Sequence, residues 1–527
     1  MTNVFYMSYQ PYFVEMAKIL YKEDDFQPVY WNIVNDIENN IKDVFENCIL
    51  HNHYDAIKGI PPKELANILL EPLCPKTLQK LSQCERIALR MMERNDTYAD
   101  NFAHRDRVLL YKYFVQYWVA IINKLKPKYI IFEEEPHQAS EYVLYKVAKM
   151  MNVETIMFIR TTIDQRMYPV NEFETGSEII KKKYETILNQ KNKLEISNEI
   201  EKYLEKIQGN YSEVISLHLY DQTDNINNLL DEKSKFLKRL KKIFSFSINL
   251  KKFKIQIKLL LDFNSQYFKS DQKQYFKSFK NSNLKYIEHI YFKSKSIIKK
   301  YFLKKYYDKI SEKSVDLTIP YIFCAIHYQP EKTTCPLGGD FDDQLYMIEL
   351  LSKTMPKGWT LYVKEHPSQF VTSYARYGEH FRSYGYYDQI KKLKNVKLVS
   401  IKTDTFSLID NAKAVATVTS TSAWEAVIRG VPSLTFGYSW FNHCNGIFYV
   451  KSLKDLEDFF ELIHQNNYKP NIEDIKCFLT ILEKNTFKSV IGGEGVQKYF
   501  NISVKQNALG HIKAIRNLID FNKLKEN

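Results

Sequence analysis

Three short stretches of this 527-residue chain gather polar side chains where an apolar run stops. One is Val418 to Gly437, VTSTSAWEAVIRGVPSLTFG, in which Thr419, Ser420, Thr421 and Ser422 lead from the apolar run Ala414–Val418 into Ala-Trp-Glu-Ala. Hydroxyls at the mouth of a helix can cap its free N–H groups, and those same groups, with the positive end of the dipole, attract an anion. Glu425, in the first turn, either accepts hydrogen bonds from sugar hydroxyls of a nucleotide or simply favours the dipole. A second stretch is Lys364-Glu365-His366-Pro367, closing the run Thr360–Val363. Lys364 and His366 are donors suited to a phosphate, His366 could help a nucleotide leave, and Pro367 ends the strand. The alternative has Lys364 and Glu365 facing solvent. The third is Ile326-His327-Tyr328-Gln329-Pro330-Glu331, with Gly338-Gly339 shortly after. Tyr328, Gln329, Gly338 and Gly339 there suit close approach of a ligand, or form an ordinary loop.

A fourth polar cluster lies in the first third of the chain, Phe132-Glu133-Glu134-Glu135-Pro136-His137. Adjacent carboxylates repel one another, which lifts a pKa toward the range of a general base when the group is partly buried. An acceptor hydroxyl must lose a proton in group transfer, so Glu133 or Glu135, assisted by His137, is the candidate base. Periodicity does not separate the two, and a solvated acidic loop explains the same text. Arg160, after the run ending at Ile159, either binds an anionic donor or acceptor or pairs at the surface. Asp340-Phe341-Asp342, with Asp343, sits where a helix begins, and helix polarity explains it without a metal. No spacing of metal ligands is present, so no metal is expected.

The elements that must hold these residues alternate. Val4–Met7, Pro28–Trp31, Tyr129–Phe132 and Thr155–Ile159 are predicted strands, with helices near Phe13–Leu20, Arg107–Leu125 and Ser140–Met151 between them. After an interruption the alternation resumes: strands Tyr321–Ile326, Thr360–Val363, Val396–Val399 and Ala414–Val418, with a helix Asp342–Thr354 and a helix start at Thr405–Asp410. Alternating strands and helices predict parallel sheets of the α/β class, and ligands of such sheets bind beyond the carboxyl ends of the strands. The expected division is 1–175, a Rossmann-like domain; 176–314, a basic helical insertion; and 315–527, a second Rossmann-like domain with C-terminal helices.

The charge is unevenly placed. From Lys233 to Lys313 there are 23 Lys+Arg against 5 Asp+Glu, while the whole chain is +13. The remaining residues are therefore net acidic, and the basicity belongs to the insertion. Lys interleaved with Phe, Tyr, Ile and Leu suits an anionic bilayer, an arm packed on the domains, or nucleic acid. No nucleic-acid motif accompanies the charge, so no nucleic-acid partner is expected. The absence of a run of about eighteen apolar residues, scattered cysteines and an opening MTNVFYMSYQPYF unlike a signal peptide lead to the expectation of a cytoplasmic protein, peripheral at the inner membrane if 233–313 docks there.

In combination, IHYQPEKTTCPLGG, LYVKEHP and TSTSAWEAVIRGVPSLTFG resemble the capsule polysaccharide biosynthesis family. The resemblance covers about Pro320 to Phe448 and a shorter piece of the first half, and the His-Pro and Ser/Thr motifs also look like those of bacterial sialyltransferases. It implies a GT-B-like architecture of two Rossmann-type domains facing across a cleft, with an acceptor role for 1–175 and a nucleotide-sugar donor role for 315–527. The implied activity is transfer of a sugar from a nucleotide-activated donor, such as CMP-Kdo or a related CMP-sugar, to a glycan or lipid-linked glycan, without a metal or other cofactor. His366 and Ser420, Thr421 and Ser422 would hold the donor phosphate, and Glu425 the ribose or base. Because the family includes retaining enzymes, a nucleophile among Glu133 to Glu135 also stays open. Alternatives are a teichoic-acid-type polyol-phosphate transferase, a sugar-nucleotide 2-epimerase, a non-catalytic polysaccharide assembly or export protein, and a basic nucleic-acid-binding protein.

Overall fold

The computed structural model describes residues 1–34, 37–94, 102–163, 166–190, 195–209, 286–370, 378–383, 385–465 and 468–526. Two sheets organise the chain. The first contains β1 (Thr2–Met7), β2 (Phe26–Ile33), β3 (Ile49–Asn52), β4 (Tyr129–Phe132), β5 (Glu154–Arg160) and β6 (Arg166–Val170). The second contains β7 (Tyr321–Ala325), β8 (Thr360–Lys364), β9 (Val396–Val399), β10 (Ala414–Thr417), β11 (Ser433–Thr435) and β12 (Ile447–Tyr449). A last short strand, β13 (Phe487–Lys488), returns to the first sheet, pairing antiparallel with β6.

The first sheet runs β13-β6-β5-β4-β1-β2-β3, parallel from β3 to β5 and antiparallel at β6. The second runs β12-β11-β10-β7-β8-β9, with every neighbouring pair parallel. Helices cover both faces, so the central strands are buried throughout; Tyr129–Phe132 and Ala414–Thr417 are apolar or small without alternation for that reason. In each sheet the chain winds one way from a central strand and then the other, placing the topological switch between β1 and β4 and between β7 and β10. At a switch point the connections diverge and leave a crevice beyond the carboxyl ends. Both crevices matter below.

The alternation in the sequence is thus realised as two parallel α/β sheets. The helix Pro11–Glu23 begins on a proline at its first turn and buries Phe13, Met16, Ala17 and Leu20 on one face. The stretch expected to be an insertion is more integrated than its composition suggests. Helices Glu178–Gln190 and Asn198–Gln208 bridge the lobes: the former packs on Ile472–Lys484, and the Trp424 indole donates to Tyr203 Oη at 2.8 Å. Residues 210–285, including most of the basic run, lie outside the described residues. The tail grouped with the second domain in the sequence crosses back: besides β13, the helix Val504–Glu526 packs on Pro11–Glu23, with Ala508, Ile512 and Ile515 joining the cluster of Phe13 and Met16. Among the described residues, no helix is long and apolar enough to cross a membrane.

Candidate functional site

Glu133 follows β4 directly and sits at the first switch point, its N–H reaching Met7 O of β1 at 3.4 Å. Its Oε2 accepts from Ser8 Oγ at 2.9 Å, and its Oε1 accepts from Tyr12 Oη at 2.8 Å and from the Gly492 N–H at 3.1 Å. The carboxylate borders a cavity of about 220 Å³ lined also by Ser8, Asn32, His53, His137 and Glu141. Burial, with the neighbouring Glu134 charge adding to it, raises the Glu133 pKa to about 7 despite those three donors. Glu134 goes the other way. Burial acts to raise it, but the Lys332 ammonium outweighs that and holds it at about 2.

Lys332 belongs to the second lobe, in the loop after β7. Its Nζ lies 2.6 Å from Glu134 Oε2 and 3.1 Å from Glu135 Oε2. Of the two acids left undivided by the sequence, Glu135 is therefore engaged by a cation, whereas Glu133 keeps a carboxyl balanced between its two protonation states near neutrality. His137 is exposed on the rim, its N–H donating to Glu141 Oε2 at 3.2 Å and its carbonyl accepting from Arg94 at 3.0 Å. Arg160 ends β5 and donates to Ile491 O at 2.6 Å, which fastens the returning tail.

Beside the second switch point two histidines stand on adjacent strand ends, His327 after β7 and His366 after β8. His366 Nδ1 accepts the Ser368 N–H at 3.1 Å, so the neutral ring carries its proton on Nε2. Burial first, then Lys364 and Arg382, depress its pKa to about 4, which keeps it a neutral donor at physiological pH. Its ring centroid lies 5.2 Å from that of Tyr328. His327, after β7, accepts the Thr419 N–H on Nε2 at 3.1 Å and is held at about 3 by burial, with His366 and Arg382 adding. His327 thus stands between His366 and the hydroxyl run.

The four hydroxyls have separate duties. Thr419 Oγ1 donates to Thr333 O at 2.9 Å; Ser420 Oγ accepts the Ser422 N–H at 3.2 Å and caps the helix Thr421–Ile428; Thr421 Oγ1 donates to Glu425 Oε1 at 3.0 Å. Ser422 Oγ is buried and makes no hydrogen bond among the described residues. Burial raises the Glu425 carboxyl, against Thr421 and Arg429.

Other sequence candidates are spent within the protein. Lys364 turns to Thr403 O at 2.6 Å and Thr405 Oγ1 at 2.8 Å, tying β8 to the loop after β9. Glu365 does not face solvent: it is fully buried, pairs with Arg382 at 2.6 Å, and accepts from Tyr387 Oη at 2.8 Å. Gln329 is also buried, accepting from Arg382 Nη1 at 2.6 Å and donating to Asp342 O at 2.8 Å. At Gly338 an added Cβ would lie 2.3 Å from Thr334 O, so this glycine serves the packing of its own loop. Gly339, at φ +54, faces the Tyr438 ring instead. Asp340 and Asp342 pair across the lobes with Arg86 at 2.6 and 3.3 Å, and Asp343 caps the helix Gln344–Thr354. Among the described residues no group of His, Cys, Asp or Glu has the arrangement of a metal site.

The residues missed in the sequence are Ser8, Tyr12, Asn32, His53 and Glu141 in the first lobe and Lys332 and Arg382 in the second. Ser8 and Asn32 were detectable as polar residues closing β1 and β2. Nothing local marks Arg382, whose role depends on a fold contact with β8.

A family model described as capsule polysaccharide biosynthesis protein matches residues 230–458, under half of the chain. No curated protein matches. Among solved structures, a beta-Kdo 2,7 transferase of Thermosulfurimonas dismutans aligns at 12% identity and TM-score 0.20, over 38% of this chain and 66% of that one. The UDP-GlcNAc 2-epimerase of Methanocaldococcus jannaschii aligns at 10% and 0.23, over 92% and 100%, and a glycosyltransferase from Rickettsia africae at 11% and 0.23, over 100% and 99%. Likeness at these scores carries no argument, and the fold rests on the strand order itself. The chain spans just under two thirds of the Kdo transferase it is aligned with. Over residues 230–458, the segment that contributes β7 to β12 and both histidines, the chain is similar to the capsule polysaccharide biosynthesis family.

Proposed function

We propose that the protein is a glycosyltransferase of capsule or other surface polysaccharide biosynthesis, using a nucleotide-activated sugar. The observation that carries this reading is one loop joining two strand-end sites. Lys332 reaches Glu134 and Glu135 in the first lobe, while the next residue, Thr333, accepts from Thr419 beside the capped helix of the second. That loop links a carboxylate near pKa 7 in the first lobe with the strand ends of the second, which carry a neutral histidine and a capped helix N-terminus. The family match over the second lobe supports the same reading.

In the proposed reaction the donor phosphate sits at the N-terminus of Thr421–Ile428, with His366 Nε2–H as a further donor. Glu133 takes the proton of the acceptor hydroxyl, whose oxygen bonds to the anomeric carbon. The bond from that carbon to the phosphate oxygen breaks, and the nucleotide leaves with the electron pair, its charge met by the helix terminus and His366. Because protein dipoles meet that charge, activity is expected to survive EDTA.

The test incubates the full chain with a CMP-sugar, UDP-GlcNAc or CDP-glycerol, with and without glycan acceptors. Acceptor-dependent release of nucleotide from a sugar donor, lost in Glu133→Gln, supports the reading. Conversion of UDP-GlcNAc to its 2-epimer without acceptor, glycerol-phosphate transfer, or tight donor binding with no product would each replace it.

A further inference from the structure

The helix Tyr286–Ile310 sets lysines inside and aromatic rings outside. Its inner side buries Lys300 and Lys304, at 1% and 5% exposure, beside Ile297 and Tyr307, with Leu303 and Ile310 packed on the core. Its outer face shows Tyr291 at 59%, Ile298 at 39%, Phe302 at 58% and Tyr306 at 37%. These four positions recur at helical spacing and form one stripe, with the exposed Lys295, Lys305 and Lys309 along it.

The register is fixed from inside. Tyr307 Oη donates to Val399 O at 2.6 Å and accepts the Glu365 N–H at 3.0 Å. Lys300 lies 4.0 Å from Glu379. The helix cannot turn its aromatic stripe inward without breaking the contacts that hold the His366 strand end.

A surface both apolar and cationic, lying within a run of 23 basic and 5 acidic residues over 233–313, matches the boundary of an anionic bilayer. Aliphatic and phenyl groups enter the acyl edge, tyrosines sit among headgroups, and lysines extend to the phosphates. Nucleic acid would use the lysines and rings but gain little from Ile298 at the centre of the stripe. We infer that the outer face of Tyr286–Ile310 docks the protein on an anionic lipid surface, with Ile298 and Phe302 as its inserting residues. The helix packs on the Pro367–Phe370 turn and on Gly378–His380, so docking would bring the bilayer alongside the His366 strand end. This inference does not depend on the transferase reading.

The experiment co-sediments the full chain with vesicles of phosphatidylcholine alone or mixed with phosphatidylglycerol, at physiological salt. Wild type should pellet with the mixed vesicles, and the double variant Ile298→Glu, Phe302→Glu should bind about tenfold less at an unchanged melting temperature. A second measurement uses Phe302→Trp, whose extra emission over wild type should shift to the blue only when mixed vesicles are added. Wild type left in the supernatant, or a double variant that binds as tightly as wild type, would overturn the inference. So would emission already blue-shifted before lipid is added, which would mean the chain covers its own stripe. Loss of RNA binding rather than vesicle binding in the double variant would overturn it in favour of nucleic acid.

Discussion

The two charged triplets that close central strands, Glu133-Glu134-Glu135 and Lys364-Glu365-His366, look alike in the sequence and behave oppositely in the fold. The first leaves its balance to the other lobe: Lys332 crosses to Glu134 and Glu135, and Glu133 is left near neutrality beside a cavity. The second settles its charges at home, Lys364 on the loop after β9 and Glu365 on Arg382, so that of the three only His366 remains for the proposed donor. A triplet at a strand end sends successive side chains to different neighbours, so three adjacent ionisable residues are three environments rather than one cluster. Charges answered within a lobe build rigidity; a charge answered across lobes can be exchanged when substrate arrives.

That contrast can be broken first at its most buried pair. Arg382→Ala should destabilise the protein by about 3–5 kcal/mol in urea unfolding, because Glu365 then stays buried without its cation. A loss under about 1 kcal/mol would mean that the second triplet is not settled within its own lobe. Glu133→Gln should lower kcat by about 10²–10⁴ with donor affinity retained, and wild-type activity should climb through about pH 7 as the carboxylate forms. Since the folded pKa of Glu133 is raised from 4.5 to about 7, wild-type stability should fall relative to Glu133→Gln as pH rises across that interval, then level off. His366→Ala should weaken donor binding about 10- to 100-fold by calorimetry, the value of one hydrogen bond to a charged group. With its pKa held near 4, that affinity should not change with His366 titration between neutral and mildly acidic pH. The smallest effect is expected for Lys332→Met, about 1 kcal/mol of stability, since Glu134 is about a third exposed. If Lys332→Met instead destabilises as much as Arg382→Ala, the distinction between an exchangeable and a settled charge falls.

Much of the architecture was legible because parallel strands buried on both faces announce themselves as apolar runs. Tyr129–Phe132 and Val396–Val399 have the bounds the sequence predicts, and a helix starts at Thr405 as expected. The short strands β3, β6 and β13 were not legible: β3 ends in the polar text His51-Asn52, and β13 is two residues long, formed only because β6 offers an edge. For the site, the sequence located the right strand ends but not the roles within them. Glu133 and Glu135 are told apart by Ser8, Tyr12 and the Gly492 N–H around the first and by Lys332 at the second, 197 residues away from Glu135. Gln329 and Gly338 looked like ligand contacts because polar and small residues after a strand serve both purposes; the decision rests with Arg382 and Thr334, whose proximity no local pattern encodes.

The Gly492 N–H that reaches Glu133, together with the helix Val504–Glu526 against Pro11–Glu23, has a consequence for biosynthesis. A ribosome releases the first lobe's strands long before the segment that completes them, so the part of Pro11–Glu23 that Ala508, Ile512 and Ile515 cover must wait through synthesis of the whole second lobe. Splitting the gene between the lobes would leave that part bare, and the half carrying Glu133 would call for Gly492 and the helix Val504–Glu526 to be supplied in trans.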